Sequence, residues 1–489
     1  MTSKSTKRAL ITSALAILMC AAMLIGATFA WFTDTASTGV NKIVSGNLKV
    51  DIIGADSDSH IEKLNFTKAA TTDAEAGAEI LWEPGCRYLT EGFRIANKGN
   101  LALKWKAQVN TGTTAANEGN FDLLDVIDFY LVTKAADGTE TETALDEFTG
   151  NLKKTETSDV YYIKGVMQTT AGNDYQGLTL DGISITVVAT QDTVESDSFD
   201  NQYDKDAEYP ILVTTGDELQ AIVSNATAPV NIVLTNSITT NNFVIPADKD
   251  VTLDLNGRTV TNAGSHTILN KGHLTLTDSS ADKSGQIISL KGNTAALRNG
   301  DNAVCVVEGG TISRDGANGN TWHVVENFGK MTFNGGKVVL KNGNGFAITN
   351  GWNYFDPGAS TTHAVMEINA LELDTDSSGI KNCRYGDLTV NDVTVTSTGY
   401  WALSNDYLGT AVINGGTLTS NSFKAVSNGA AMTVNGGTFD GTQGFFVQSY
   451  ATSTVLNGGT FANMNVDALS SYVGTGHTAQ QSGTSVIIK

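Results

Sequence analysis

Five aromatic residues follow amide side chains at a regular place in the second half of the chain. They are Trp352, Tyr354, Tyr385, Tyr407 and Tyr450. Aromatic rings repeated at one spacing can bind the apolar faces of sugars, while amide and carboxylate groups beside them bond the sugar hydroxyls. The pattern predicts a glycan-binding surface. The alternative interpretation is that these rings only cover the edges of turns.

A second set of residues near the same places offers acid–base chemistry. It comprises Asp301, Asp356, Asp387 and Asp406, with Arg298 and Arg384 close by. Glycosidases need two carboxylates at a defined separation. These acids stand one to six residues after the nearest amide residue, so no pair has a fixed geometry. We predict that the chain is not an enzyme. The alternative is a polysaccharide lyase or glycoside hydrolase acting through the same surface.

The histidines and cysteines do not indicate a metal site or a cofactor, and we predict neither. The six histidines of the sequence are scattered, without the spacing of a metal-binding motif. Cys86, Cys305 and Cys383 form a sparse, odd set once a signal segment is removed, which does not suit a disulfide framework. Cys305 is predicted to be a buried core thiol.

Two repeats in phase indicate the elements that must position these residues. Gly-Gly-Thr occurs at 309–311, 415–417, 436–438 and 458–460, and the last three copies begin 21 and 22 residues apart. A second series ends short apolar runs and consists of Asn350, Asn382, Asn405 and Asn428, with Gln448 after it. Repeats of this period indicate stacked coils. One asparagine per coil predicts a ladder of stacked amides.

Alternation of apolar and polar residues before each Gly-Gly indicates strands with one buried face, as at Met432, Val434 and Gly436. The predicted fold is a right-handed parallel β-helix, because β crossovers are almost always right-handed. We expect roughly eight coils of about 4.8 Å each. A helix over 215–223 is predicted to cap the first coil, and residues 472–489 the last.

These segments, from Tyr209 to the C-terminus, resemble the pectate-lyase-like β-helix superfamily of bacterial surface proteins. The resemblance implies the fold. It implies little about function, because the superfamily contains adhesins, tailspikes and polysaccharide lyases.

The N-terminus predicts a secretory signal. Lys4, Lys7 and Arg8 precede an apolar run over residues 9–30, and small residues precede a cleavage site between Ala30 and Trp31. We therefore expect a secreted protein at the cell surface or outside the cell, with no stable membrane span after cleavage. The alternative is a permanent membrane anchor, because the run is close to spanning length.

Motifs around and after this site are similar to the TasA/camelysin family of secreted proteins from Gram-positive bacteria. They are Ala-Thr-Phe-Ala-Trp-Phe-Thr-Asp-Thr-Ala at 27–36, Ser-Gly-Asn-Leu at 45–48, Trp-Glu-Pro-Gly at 82–85 and Asn-Lys-Gly-Asn at 97–100. The resemblance covers residues 1–200. It implies a dedicated signal peptidase as processing partner, a jelly-roll β-sandwich and a place among biofilm-matrix proteins.

The residues themselves also favour an all-β first domain. Apolar residues alternate with polar ones over 101–109 and again over 183–189. Strands of this kind suit a two-sheet sandwich. We therefore divide the chain into a signal at 1–30, a jelly-roll sandwich at 31–200, an acidic linker at 201–208 and the β-helix at 209–489.

Two aromatic residues at the new N-terminus suggest self-association. Trp31 and Phe32 at an exposed start are unfavourable unless they are buried. Pairing of this segment with a neighbouring subunit predicts head-to-tail fibres. Docking within the same subunit is the alternative interpretation.

The charge of the chain argues against two classes of partner. Its formal net charge is −20, and removal of the signal makes it more negative because that segment holds three basic residues and no acids. Such a charge argues against nucleic acid and anionic membranes as partners. A secreted structural or adhesive protein fits, with a polysaccharide as its candidate ligand.

Overall fold

A computed structural model describes residues 47–489 apart from 62–63, 68–79, 81, 111–112, 115–120, 146–147, 182–183, 193–207, 316–321, 344 and 353–361. The predicted signal, the Ala30–Trp31 cleavage site and the Trp31–Phe32 assembly segment lie outside these residues. So do Tyr354, Asp356 and most of the predicted linker. In the part of the chain that is described, no helix has the length and apolar content needed to cross a membrane.

The first part of the described chain consists of antiparallel sheets. The strands of the largest are Val50–Gly54, Phe66–Thr67, Arg87–Thr90, Phe93–Asn97, Ile127–Lys134, Glu140–Ala144 and Tyr161–Met167. Those of the second are Leu103–Asn110, Phe148–Leu152 and Ser184–Gln191, and a short pair joins Thr113–Thr114 to Leu180–Asp181. Two 3-10 turns, Leu123–Asp125 and Asn173–Tyr175, lie between strands.

The two larger sheets share one apolar core. Phe93 and Ile163 from the first sheet pack with Leu103, Trp105 and Leu152 from the second. Alternation of apolar residues along Leu103–Asn110 places one face of that strand in this core. The all-β character is therefore observed, whereas the jelly-roll connectivity stays a prediction.

The second part is a parallel β-helix, as the sequence predicts. Three sheets run along it, and successive strands of each sheet pair in parallel. Sheet 1 consists of Ile211–Val213, Val230–Leu234, Asp250–Asp254, His273–Thr277, Val304–Val307, Lys330–Phe333, Ala364–Ile368, Gly386–Val390, Thr410–Ile413, Ala431–Val434 and Ser453–Leu456.

Sheets 2 and 3 complete the coils. The strands of sheet 2 are Ile238–Thr240, Thr259–Asn262, Gln286–Ser289, Thr311–Asp315, Lys337–Lys341, Glu372–Thr375, Thr394–Ser397, Thr417–Ser420, Thr438–Asp440 and Gly459–Ala462. The strands of sheet 3 are Val244–Ile245, Ile268–Asn270, Leu297–Asn299, Val325–Asn327, Phe346–Asn350, Ser378–Asn382, Leu403–Asn405, Lys424–Asn428 and Gln443–Val447.

The β-helix has about ten turns rather than the eight predicted. The expectation was too low because the first two strands of sheet 1, Ile211–Val213 and Val230–Leu234, carry no Gly-Gly marker. The marker itself makes a tight corner. Gly416 has φ of +95°, and a Cβ there would lie 2.6 Å from the carbonyl oxygen of Val393. A glycine is therefore required at this corner.

Residues two and four positions before each Gly-Gly point into the core, as expected from their alternation. Met432 and Val434 are both buried. Cys305 occupies the same column of sheet 1, between Leu274 and Met331, and is fully buried. Burial raises the pKa of its thiol to about 12, so this cysteine is a core residue rather than a nucleophile.

Both ends of the β-helix are covered. The helix Gly216–Asn225 begins after Thr215, whose side chain accepts a hydrogen bond from the backbone of Glu218, and it buries Leu219 and Val223 in the core. At the other end a short helix, Val466–Leu469, and a 3-10 turn, Ser470–Tyr472, precede two antiparallel strands. These strands, Ala479–Ser482 and Ser485–Ile488, close the edge of sheet 2.

Candidate functional site

A column of buried asparagines ends the strands of sheet 3. It consists of Asn270, Asn299, Asn327, Asn350, Asn382, Asn405 and Asn428, all fully buried. Each side-chain amide donates to the amide oxygen of the next at 2.7–2.9 Å. We call this column the inner ladder. Its amides bond buried backbone groups of these turns and face away from solvent, so the inner ladder fixes the corner of each of these coils.

The inner ladder ends earlier than the sequence suggests. Val447, not Gln448, stands in register with Asn428. The amide of Asn428 donates instead to the hydroxyl of Thr454 at 2.8 Å. Gln448 lies on the outer side of the sheet and donates to the hydroxyl of Ser427 at 3.1 Å. Spacing alone could not reveal this, because the last coil is shorter.

A second amide column, which sequence reasoning missed, lies on the surface between sheets 1 and 2. We call it the outer ladder, and it consists of Asn334, Asn369, Asn391, Asn414, Asn435 and Asn457. Neighbouring amides bond at 2.7–2.9 Å. Four of its members stand directly before a Gly-Gly pair, and that position is the signal that could have identified them.

The predicted aromatic residues differ in their surroundings. Tyr407 and Tyr450 are 48% and 57% exposed. The ring of Tyr450 lies so close to Gly429 that an added Cβ would be 2.7 Å from it. Trp352 is half-buried against Phe328, with ring centroids 4.5 Å apart.

Tyr385 is also half-buried, and its backbone is left-handed, with φ of +58°. The guanidinium of Arg384 bonds its hydroxyl at 3.1 Å and lies 4.8 Å from its ring centre. The backbone N–H of Trp352 donates to the carbonyl of Arg384, which links the two turns. These residues form one edge of the outward face of sheet 3.

The outward face of sheet 3 is recessed. Its central positions are in register from strand to strand: Glu326, Thr349, Lys381, Ser404 and Ser427. They point away from the core because their neighbours along each strand point inward. Even so, all but Lys381 are buried. Larger neighbouring side chains therefore shield them from solvent, and we call this surface the trough.

A second row of aromatic rings forms the opposite edge of the trough. Phe346 and Trp401 are stacked, with ring planes 8° apart and centroids at 6.1 Å. Phe423 meets Trp401 edge-on at 5.4 Å. Tyr400 is 53% exposed beside them. Little in the sequence indicates this row, because its rings stand at the starts of sheet 3 strands and not after the asparagines.

Two ion pairs lie on the floor of the trough. Arg298 contacts the carboxylate of Glu326 at 3.0 Å, and Lys381 contacts that of Asp406 at 3.0 Å. Burial acts to lower the pKa of Lys381, but nearby negative charge offsets this and leaves the pKa raised. Asp406 supplies that charge at neutral pH, because burial raises the pKa of the neighbouring Cys383 thiol to about 12.

Two further cations on the trough have no carboxylate partner among the described residues. The ammonium of Lys424 lies 3.2 Å from the ring centre of Phe446 and 5.3 Å from that of Phe423. The guanidinium of Arg384 contacts Tyr385, and its Nε is buried without an acceptor. Trp352 Nε1 is likewise buried without one. The side chains of Arg384 and Trp352 would lose few internal hydrogen bonds on turning toward a ligand.

Two of the described acids, Glu326 and Asp406, lie too far apart for a glycosidase pair. Glu326 and Asp406 each bind a cation, and their strands lie three positions apart in sheet 3, about 14 Å along the β-helix. Glycosidase carboxylates stand about 5–9.5 Å apart. Asp387 lies on sheet 1 and contacts His363 at 2.9 Å, and Asp301 is exposed in a turn. The described residues contain no cluster of three metal-binding side chains.

The trough is thus a polar floor with two ion pairs, bordered by aromatic rings on both sides.

Comparison of the chain with models of known protein families gives no match, and comparison with curated protein sequences gives no significant match.

Proposed function

We propose that this chain is a secreted surface or matrix protein whose β-helix binds glycans along the trough. The observation that carries the proposal is the pair of aromatic rows on either side of a hydroxyl-rich, charged floor. Rings such as Trp401 and Tyr407 offer apolar faces for sugar rings. Ser404, Ser427 and Thr349 lie on the column between the rows, and although largely buried they give the floor the polar character that suits a sugar chain.

The regularity of the coils also supports an extended ligand. Successive coils repeat at about 4.8 Å, so the trough presents similar groups many times along one direction. A polymer of sugars can occupy several such positions at once, and each contact adds to the affinity. A small compact ligand would use only a fraction of this surface.

The proposed location outside the cell is inferred from the N-terminal sequence. The predicted signal, cleaved between Ala30 and Trp31, sends the chain out of the cell, and the TasA/camelysin resemblance favours a biofilm matrix. Fibre formation through Trp31 and Phe32 is a further part of this proposal. Electron microscopy of the processed chain at high concentration tests it, and particles that remain single would contradict the fibre.

A glycan array with the full-length chain tests the trough. We expect binding to at least one polysaccharide, and Trp401→Ala and Tyr407→Ala should each weaken it by about fivefold, because a ring contact contributes about 1 kcal/mol. Tyr162→Ala is the control, since this tyrosine contacts Lys134 in the first part of the chain. Absence of binding to every glycan, or binding that neither substitution affects, would overturn the proposal.

We propose binding rather than cleavage, because the two described carboxylates on the trough, Glu326 and Asp406, each contact a cation. The alternative is a polysaccharide lyase or glycoside hydrolase. Incubation of the chain with the bound polysaccharide distinguishes the two. New unsaturated ends or new reducing ends would show a lyase or a hydrolase, and an unchanged polymer would show a binding protein.

A further inference from the structure

The basic residues in the distal part of the β-helix are confined to one face. Between residues 342 and 488 the sequence has three of them, Lys381, Arg384 and Lys424, against ten acids. All three lie on or beside sheet 3. The acids of the neighbouring sheets include Glu367 and Asp387 on sheet 1 and Glu372 and Asp374 on sheet 2.

This distribution places unpaired positive charge on the trough of a chain that is negative as a whole. Arg298 and Lys381 are neutralised by Glu326 and Asp406. Arg384 and Lys424 have no carboxylate partner among the described residues, so each presents an unpaired positive charge on the trough. The whole chain has a formal net charge of −20. A local excess of the opposite sign attracts an anionic ligand to that place alone.

We propose that the glycan bound in the trough is acidic, and that Arg384 and Lys424 bind its anionic groups from opposite edges. This inference rests on the proposed function and adds the class of glycan to it. Carboxylate, sulfate and phosphate groups are acceptors, and the guanidinium of Arg384 has an Nε–H without an internal acceptor. Lys424 is held over Phe446, so its ammonium is oriented before any ligand arrives.

The separation of the two cations favours a polymer over a single anion. Arg384 follows the strand Ser378–Asn382, and Lys424 begins a strand two positions further along sheet 3. Their backbones are therefore roughly 10 Å apart along the β-helix and roughly 13 Å apart across it. One phosphate or sulfate ion cannot contact both side chains. A chain with repeated charges can contact both while its sugar rings lie on the aromatic rows.

Glycan is favoured over nucleic acid for two reasons. The net charge of the chain repels a densely charged polyanion, and the two unpaired cations are too few to offset it. The floor between them also consists largely of hydroxyl groups. An acidic glycan has fewer charges per length and many hydroxyls, which suits such a floor.

The test compares glycans that differ only in charge. Binding of the full-length chain is measured for uronic-acid oligosaccharides, for the same oligosaccharides as methyl esters, and for dextran sulfate against dextran. We expect the charged forms to bind more tightly, long oligosaccharides to bind better than short ones, and salt to weaken binding. The uronate and sulfate arms show which anionic group is preferred.

Substitutions on the trough test which residues cause the preference for charged glycans. Arg384→Gln and Lys424→Gln should each weaken binding of the charged form by about three- to tenfold, as expected for loss of a charge-assisted hydrogen bond. Binding of the methyl ester should not change. Lys330→Gln is the matched control, because Lys330 is exposed on sheet 1. Thermal unfolding verifies that each variant is folded.

The outcomes separate this inference from the proposed function. Equal affinity for charged and esterified glycans, with Trp401→Ala still harmful, overturns the acidic ligand and retains glycan binding. Failure to bind any glycan overturns both. Tighter binding of single-stranded DNA through Arg384 and Lys424 would replace the glycan by another polyanion and would also overturn the inference.

Discussion

The two amide ladders use the same hydrogen bond in opposite surroundings. In the inner ladder Asn405 is fully buried and donates to Asn428 at 2.9 Å. In the outer ladder Asn414 is exposed and donates to Asn391 at 2.7 Å. Water can replace the second bond but not the first. The two bonds therefore contribute unequally to stability, although their geometry is the same.

The trough differs from both ladders because its residue types change from coil to coil. Within each ladder asparagine repeats from coil to coil, because those coils form the same corner. The central column of the trough changes from Glu326 to Thr349, Lys381, Ser404 and Ser427. No coil geometry demands that variety. A regular column indicates a structural role, whereas the varied column of the trough is where we propose that a ligand is recognised.

The largest effect expected from this comparison is on the inner ladder. Asn405→Ala removes bonds to Asn428 and to the carbonyl of Ala431 and leaves the amide of Asn382 without one acceptor. At about 1 kcal/mol for each bond, we expect a loss of about 3 kcal/mol in the free energy of unfolding. Urea denaturation monitored by circular dichroism measures it.

Asn414→Ala is the matched control, because it also removes two ladder bonds. It should cost less than about 1 kcal/mol, since water replaces both partners. Equal losses in the two variants would show that burial does not distinguish the ladders, and the comparison would fail.

A smaller effect on the free energy of unfolding is expected from the buried thiol of Cys305 at high pH. Burial raises the pKa of Cys305 to about 12, whereas an unfolded thiol ionises near about 8.5. Between these values the unfolded chain binds fewer protons than the folded one, so the free energy of unfolding falls as pH rises. Below the unfolded pKa this stabilisation is fully present.

Cys305→Ala should therefore lose stability less steeply above about pH 9, by up to about 1.4 kcal/mol per pH unit. Alanine is compatible with the site, because Ala411 occupies the same column further along sheet 1. The measurement is urea denaturation at several pH values. Cys86→Ala is the control, and identical slopes for both variants would contradict a desolvated Cys305.

The core and corners of the β-helix could be predicted from sequence because they repeat for steric reasons. Gly416 is required at its corner, and the alternation before it follows from the strand. The number of turns is harder to predict from the sequence, because the early coils lack the glycine marker. The jelly-roll connectivity of the first part rests on the resemblance alone, since strand alternation does not specify the order of strands in a sheet.

Only one of the two edges of the trough could be predicted from the sequence. The asparagines indicated one edge of the trough, with Tyr407 and Tyr450, because a turn residue fixes the positions of the next few residues. The other edge, with Phe346 and Trp401, depends on the place where each coil enters sheet 3. That place varies, because the segments between sheets 2 and 3 differ in length. The ion pairs on the floor join different coils, so no local pattern reveals them.

The smallest expected effect on stability belongs to the exposed rings. Tyr450 is 57% exposed and packs against Gly429 rather than the core, so Tyr450→Ser should change the free energy of unfolding by less than about 0.5 kcal/mol. Phe439→Ser is the contrasting variant, because Phe439 is fully buried between Phe461 and Phe445, and it should unfold far more readily. If Tyr450→Ser instead lowers the urea midpoint as Phe439→Ser does, the exposed rings are structural covers of the turns, and the glycan-binding interpretation of that edge loses its basis.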